Sequence, residues 1–212
     1  MFNMDFALSV LMDTNKMDWI ASPMAGVYRK PLAREDAERG HATSLVRYEA
    51  GSVFRPHPHP LGEEILVLEG VFSDEKGDFC AGSYFRNPPG TSHAPYSKNG
   101  CLLLVKLHQF QATDLNQVCI HSSDIWFSQS SAVCPLYEYG EERVWLIRIE
   151  KGKDILASLQ LSEAVELFVI SGGAVYQDRS ILAGTWLRVG DFDLNDLHIQ
   201  SACFLWLKSG HF

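Results

Sequence analysis

The stretch EILVLEGVFSDEKGDFCAGSYFR, residues 64–86, recurs as ELFVISGGAVYQDRSILAGTWLR, residues 166–188. Gly70 aligns with Gly172, Gly82 with Gly184 and Arg86 with Arg188, each pair 102 residues apart. The flanks repeat as well: LVRYEAG (45–51) matches LIRIEKG (146–152), and CLLLVKL (101–107) matches CFLWLKS (203–209). Arg47 and Arg148 are 101 apart, so the copies differ by one loop residue. One glycine pair can coincide by chance; several in register mean that one supersecondary unit has been duplicated. Within each copy, runs rich in Val, Ile, Leu, Phe, Tyr and Trp read as strands. Turn signals such as Glu75-Lys76-Gly77-Asp78 and Pro88-Pro89-Gly90 interrupt them. The chain therefore reads as all-β, sandwich or barrel. Helical periodicity is confined to residues 4–12. The duplication divides the 212 residues into an N-terminal segment (1–24), a first β-domain (25–112), a linker (113–124) and a second β-domain (125–212).

Composition narrows the function. Hydrophobic residues make up 46% and charged residues 21%, which suits a packed globular chain rather than a disordered one. The net charge of -8 opposes the basic footprint that nucleic-acid binding needs. The N-terminus lacks the basic start and small-residue cleavage site of a secretory signal, and no apolar run reaches transmembrane length. The five cysteines, Cys80, Cys101, Cys119, Cys134 and Cys203, include no C-x-x-C pair. They read as small apolar residues in a reducing compartment. These features predict a cytoplasmic protein that binds neither nucleic acid nor membrane.

The chemistry gathers in the first copy. Gly51, His57, His59, Glu63 and Gly70 spell G-x5-H-x-H-x3-E-x6-G, and Gly82, Pro88, Gly90 and His93 spell G-x5-P-x-G-x2-H. Residues two apart on a strand point the same way, so His57 and His59 aim into one space. The Pro60-Leu61-Gly62 turn brings Glu63 back on a facing strand, and the Pro88-Pro89-Gly90 turn admits His93. Three imidazoles and one carboxylate converging in a barrel interior suit one divalent first-row metal. A closed tetrahedral zinc site would be structural or regulatory; six-coordinate iron or manganese with two open positions would be catalytic. Arg55 shares the parity of His57 and His59 and reads equally as a carboxylate fork or as a solvated side chain where the Arg55-Pro56 step twists the chain. Tyr84 and Arg86 share a face and are candidates to line the pocket, while their persistence as Trp186 and Arg188 in the second copy favours a structural role for that face. Glu64 alternates away from Glu63 and reads as scaffold.

Both glycine-bounded motifs resemble those of the cupin superfamily, in which the positions of His57, His59, Glu63 and His93 bind metal. EEILVLEGVFSDEKGDF and AGSYFRNPPGTSHAPYS are similar to the ChrR-type cupins. The resemblance implies double-stranded β-helix barrels, here in two tandem copies. It also implies a zinc-binding regulatory module related to anti-sigma factors, with a regulatory protein as partner. The alternative it carries is an iron-dependent dioxygenase acting on a small organic substrate. The helical domain with H-x3-C-x2-C through which ChrR holds its sigma factor has no counterpart, since residues 1–40 contain neither His nor Cys. Zinc is the first choice of metal, iron or manganese the others; a monomer or homodimer is implied. No catalytic residue is assigned.

The second copy keeps the strands and loses the ligands. The region of His57 and His59 reads Leu156-Ala157-Ser158-Leu159-Gln160, Glu63 becomes Val165 and His93 becomes Asn195. One metal per chain is expected. His198 could enter this second barrel from a longer loop. The second copy is read as scaffold, with an organic-ligand pocket near Trp186 and Arg188 as the alternative.

Overall fold

The computed structural model describes residues 1–36, 40–125, 132–153 and 155–211. Among these residues the helical elements are single 3-10 turns, and the rest is strand and connection. The fold is all-β and of cupin type. Contacts divide the chain into two compact units: Met1–Met4 with Asp18–Ile125, and Asp5–Met17 with Trp126–Phe212.

In the first unit the main sheet runs, in spatial order, Val118–Ile120, Tyr84–Asn87, Glu63–Asp74, Cys101–Leu107, Ala42–Tyr48, Val27–Arg34, Ile20–Ala21. Glu63–Asp74 is 12 residues long and bends from this sheet into a second layer. There its distal half pairs with Gly77–Cys80 and Tyr96–Ser97. His57–Pro58 and Ser92–His93 form a two-stranded ribbon of their own. Val67, Phe72, Phe79, Phe85, Leu103 and Tyr48 fill the interior.

The second unit repeats the plan: Val10–Asp13, Thr185–Val189, Val165–Ser171, Cys203–Ser209, Glu142–Ile149, Ala132–Tyr139. A three-stranded layer of Arg179–Leu182, Gly173–Tyr176 and Leu197–Ile199 accompanies it. Its interior is apolar, with Ile147, Ile149, Leu156, Val165, Leu167, Val169 and Leu205 all buried.

The long strand of each unit carries a bulge at the same place. Register with its neighbour slips between Leu102 and Leu103 in the first unit and between Val169 and Ser171 in the second. Gly70 and Gly172 follow these slips with φ of +72° and +78°. A Cβ on Gly70 would run into the Gly100 carbonyl oxygen, and one on Gly172 into that of Ala202. The repeated glycines thus serve a bend that permits close backbone approach, as bulge glycines do.

The expectation of a helix near residues 4–12 is corrected. Val10–Asp13 is a strand, paired antiparallel with Thr185–Arg188 at the edge of the second unit's sheet. Asp13 then caps a 3-10 turn, and the Thr14 hydroxyl donates to the Gly184 carbonyl at 2.6 Å. A seven-residue apolar run fits either periodicity, and here pairing with a distant edge wins over local propensity. Val118–Ile120, inside the stretch read as a linker, is likewise an edge strand, pairing with Tyr84–Arg86 in the first unit.

Candidate metal centre

His57, His59, Glu63 and His93 come together as the sequence spacing predicts. Each offers one ligand atom, and these atoms lie within 4.8 Å of one another. His57 and His93 sit opposite each other in the two-stranded ribbon. The turn at Pro60-Leu61 reverses the chain, so that Glu63 opens the long strand. The second turn is tied to the first: the His59 amide donates to the Thr91 carbonyl at 2.9 Å, and the Gly90 amide to the His59 carbonyl at 3.1 Å. Imidazole centroids are 5.2 Å apart for His57 and His59, 4.8 Å for His57 and His93, and 4.7 Å for His59 and His93. His59, Glu63 and His93 are buried; His57 is partly open, with Phe54 against its ring.

The hydrogen bonds around the rings decide which nitrogens face inward. His59 Nδ1 lies 2.9 Å from Thr91 Oγ1, whose own proton goes to the Pro88 carbonyl at 2.7 Å. Thr91 therefore accepts, and His59 Nδ1 carries the hydrogen. His93 Nδ1 faces Asp74 Oδ2 at 3.3 Å, and His57 Nδ1 faces the Arg55 carbonyl at 3.2 Å. A carboxylate and a carbonyl can only accept, so both of these nitrogens donate. All three Nε2 atoms are then left with lone pairs, as in metal-ligating histidines whose other nitrogen is held by an outer partner.

Those lone pairs point into a site that a cation fits. His59 Nε2 and His93 Nε2 are buried with no hydrogen-bond partner. They stand 3.1 and 3.4 Å from Glu63 Oε2. Two donors about 2.1 Å from a tetrahedral or octahedral ion are separated by about 3.0–3.4 Å. A buried polar atom left unpaired costs about 1–3 kcal/mol, and here two of them meet a carboxylate. Without a cation, burial would raise the Glu63 carboxyl, but a proton shared from His59 and the positive charge of protonated imidazoles outweigh it and hold it down to about 2; a bound cation would take the place of those protons. Burial lowers the His57 pKa and favours its neutral, ligating form. Burial, with the Glu63 charge behind it, keeps the Tyr48 phenol protonated.

Sequence reasoning missed the outer partners Thr91, Asp74 and Asn87; Asn87 Nδ2 donates to Glu63 Oε2 at 3.3 Å. Strand parity alone points to Asn87, which pairs with Glu63 across the sheet. Nothing in the residue types of Thr91 and Asp74 distinguishes them from ordinary turn residues.

The pocket candidates need correction. Tyr84 and Arg86 lie on the opposite face, with Glu64: the Tyr84 hydroxyl donates to Glu64 Oε1 at 3.0 Å. Arg86 bridges Glu64 at 3.1 Å and Asp114 at 2.9 Å, fully buried, with the Phe110 ring 4.1 Å from its guanidinium carbon. Alternation forces this, because Glu64 and Arg86 form a cross-strand pair one step from Glu63 and Asn87. Arg55 is exposed, and the site uses its carbonyl rather than its guanidinium. In the second unit the buried Trp186 donates to Glu166 at 2.7 Å, and the buried Arg188 to the Asp5 carbonyl at 3.0 Å, so neither lines an open pocket. His198 lies exposed on Leu197–Ile199, away from any ligand set among the described residues.

The family profile described as ChrR cupin-like domain matches residues 8–111, which contain all four ligands. Over these residues the chain is similar to the ChrR cupin-like family. The cupin fold extends to solved structures at low identity. A putative dioxygenase from Nostoc punctiforme matches with a TM-score of 0.74 and 16% identity, over 96% of this chain and 82% of that one. A bacterial pirin from Escherichia coli, in complex with nickel(II), matches with a TM-score of 0.71 and 15% identity, over 95% and 98%. A cupin 2 conserved barrel domain protein from Leptotrichia buccalis matches with a TM-score of 0.59 and 12% identity, over 99% of each chain. At such identities the likeness is one of fold. No curated protein matches the chain by sequence.

Proposed function

We propose that this chain is a regulatory metal cupin that holds one divalent first-row metal through His57, His59, Glu63 and His93. The observation that carries the metal reading is the alignment of three imidazoles with Nδ1–H outward and Nε2 inward, around one ionised carboxylate. The regulatory reading rests on the match of residues 8–111 to the ChrR cupin-like domain. Zinc suits the N3O donor set as a closed tetrahedral centre. The partner on this reading would be a regulatory protein.

A second reading, a mononuclear dioxygenase acting on a small organic substrate, is favoured by the partial opening at His57. When bound, iron or manganese with four protein ligands would supply two further coordination positions for small molecules. On that reading Tyr48, Phe54 and Phe72 form the apolar and aromatic wall beside the ligands, while Asn87 fixes the carboxylate.

Metal analysis of protein purified without added metal tests both. One zinc per chain, with no oxygen uptake over a panel of small aromatic and ketone substrates, supports the regulatory reading. One iron per chain with substrate-dependent oxygen uptake replaces it with the oxygenase. The double variant His57→Ala/His59→Ala is expected to lose metal while keeping its β-sheet circular dichroism. Retained stoichiometric metal would refute the ligand assignment.

A further inference from the structure

Resting on the metal reading above, we infer that the Asp74–Gly77 hairpin turn is a clamp that positions the His93 ligand. The strand Glu63–Asp74 carries a ligand at its first residue, and its last residue reaches the ring of another. Asp74 and His93 are both buried, their side chains 4% and 2% exposed. The Asp74 carboxylate is itself fixed, because its Oδ1 accepts the Lys76 amide at 2.7 Å. Its neighbour Glu75 accepts the Ala94 amide at 3.0 Å. Two consecutive carboxylates on one turn thus grip the ring of His93 and the backbone just after it.

The second copy supplies an internal comparison. At the 102-residue offset, Asp74 becomes Tyr176, Glu75 becomes Gln177 and His93 becomes Asn195. Tyr176 turns to stack on Phe192, with centroids 5.1 Å apart. Glu64 and Arg86, which do not touch the metal ligands, persist as Glu166 and Arg188. The clamp carboxylates are therefore absent where the ligand is absent, whereas scaffold charges survive. A merely structural role in the hairpin would not follow the ligand in this way, since the second copy keeps the hairpin itself.

Asp74 is on this view a positioning residue, holding His93 with its Nδ1–H outward so that Nε2 stays free. The variant Asp74→Asn separates clamp from turn. Its amide oxygen can still accept the Lys76 amide, while its NH2 meets His93 Nδ1 and forces that nitrogen to accept. Nitrogen NMR of the metal-free full chain is expected to show His93 with Nδ1–H in the wild type and Nε2–H in Asp74→Asn. Zinc affinity, read by competition with a chelator, is expected to fall about 10–100-fold, as for other outer partners of metal-ligating histidines. Cobalt(II) spectra of the variant should shift as well. Ser73→Ala removes the 2.6 Å hydrogen bond to Asp78 in the same hairpin without touching His93, and should leave tautomer and affinity unchanged. An unaltered His93 tautomer in Asp74→Asn would overturn the clamp, and so would an equal loss of affinity in Ser73→Ala. If the tautomer switches but even the wild type binds no zinc, iron, manganese or cobalt, the clamp stands and the metal reading falls.

Discussion

Thr91 holds His59 through a single oxygen, which gives its proton to the Pro88 carbonyl and receives one from the imidazole. The direction of that chain is set by the carbonyl, which cannot donate, so the tautomer of His59 is fixed two bonds away from the ring. Thr91→Val keeps the shape of the side chain and removes the acceptor. Zinc affinity of this variant should drop about 10-fold or more, measured by chelator competition, with far-ultraviolet circular dichroism unchanged. Wild-type affinity would show that the backbone alone orients the ring. The clustering of His57, His59, Glu63 and His93 was legible in the sequence because His and Glu at these spacings have few structural reasons to coincide. Their supports were not, because Thr91, Asp74 and Asn87 are common turn and strand residues. Their roles depend on a ribbon and a hairpin folding over each other. For Tyr84 and Arg86 their shared face suggests the pocket and their persistence in the second copy suggests structure; the register places them on the face of Glu64 rather than Glu63.

At the scale of the element, the repeated bulge is the most demanding piece of local geometry. Gly172 has φ of +78°, and its missing Cβ leaves room for the Ala202 carbonyl and for Cys203 Cα, 2.8 Å from where a Cβ would sit. Gly152, with φ of +77°, has nothing within 4 Å of its would-be Cβ. Gly152→Ala therefore carries only the conformational penalty, about 1–2 kcal/mol. Gly172→Ala carries the same penalty plus displacement of a neighbouring strand, and should cost at least about 1 kcal/mol more. Urea denaturation of the two variants side by side measures the difference; equal losses would mean that the neighbouring strand yields freely. The glycine register in the sequence pointed to this feature directly. The edge strands Val10–Asp13 and Val118–Ile120 left no such mark. Short apolar runs carry no cue to a partner about 175 residues away in the first case, or about 34 in the second.

Over the whole molecule, the duplicated plan separates stability from chemistry. Both units keep a buried Glu beside an aromatic donor, Glu64 with Tyr84 and Glu166 with Trp186, while one alone of the two interiors offers a metal-ligating set among the described residues. Metal should stabilise the chain as a ligand of the folded state, by about 2.7 kcal/mol at a free concentration 100 times the Kd. Protons compete for the three Nε2 lone pairs. Burial lowers the His57 pKa, so this stabilisation should be full at neutral pH and fade below the ordinary imidazole range, as His57 protonates. Thermal melts with and without zinc at several pH values read this directly; a zinc-induced rise in Tm that persisted far below that range would contradict imidazole ligation. No helix among the described residues is long and apolar enough to cross a membrane.

The strand Val10–Asp13 also has a consequence in time. Its partner Thr185–Arg188 is translated about 175 residues after it. At about 5–20 residues per second, that is a wait of about 9–35 s. By then the ribosome has already delivered Asp18–Ile125, the bulk of the first unit with all four metal ligands. The four clustered side chains can thus come together while Val10–Asp13 is still an unpaired edge.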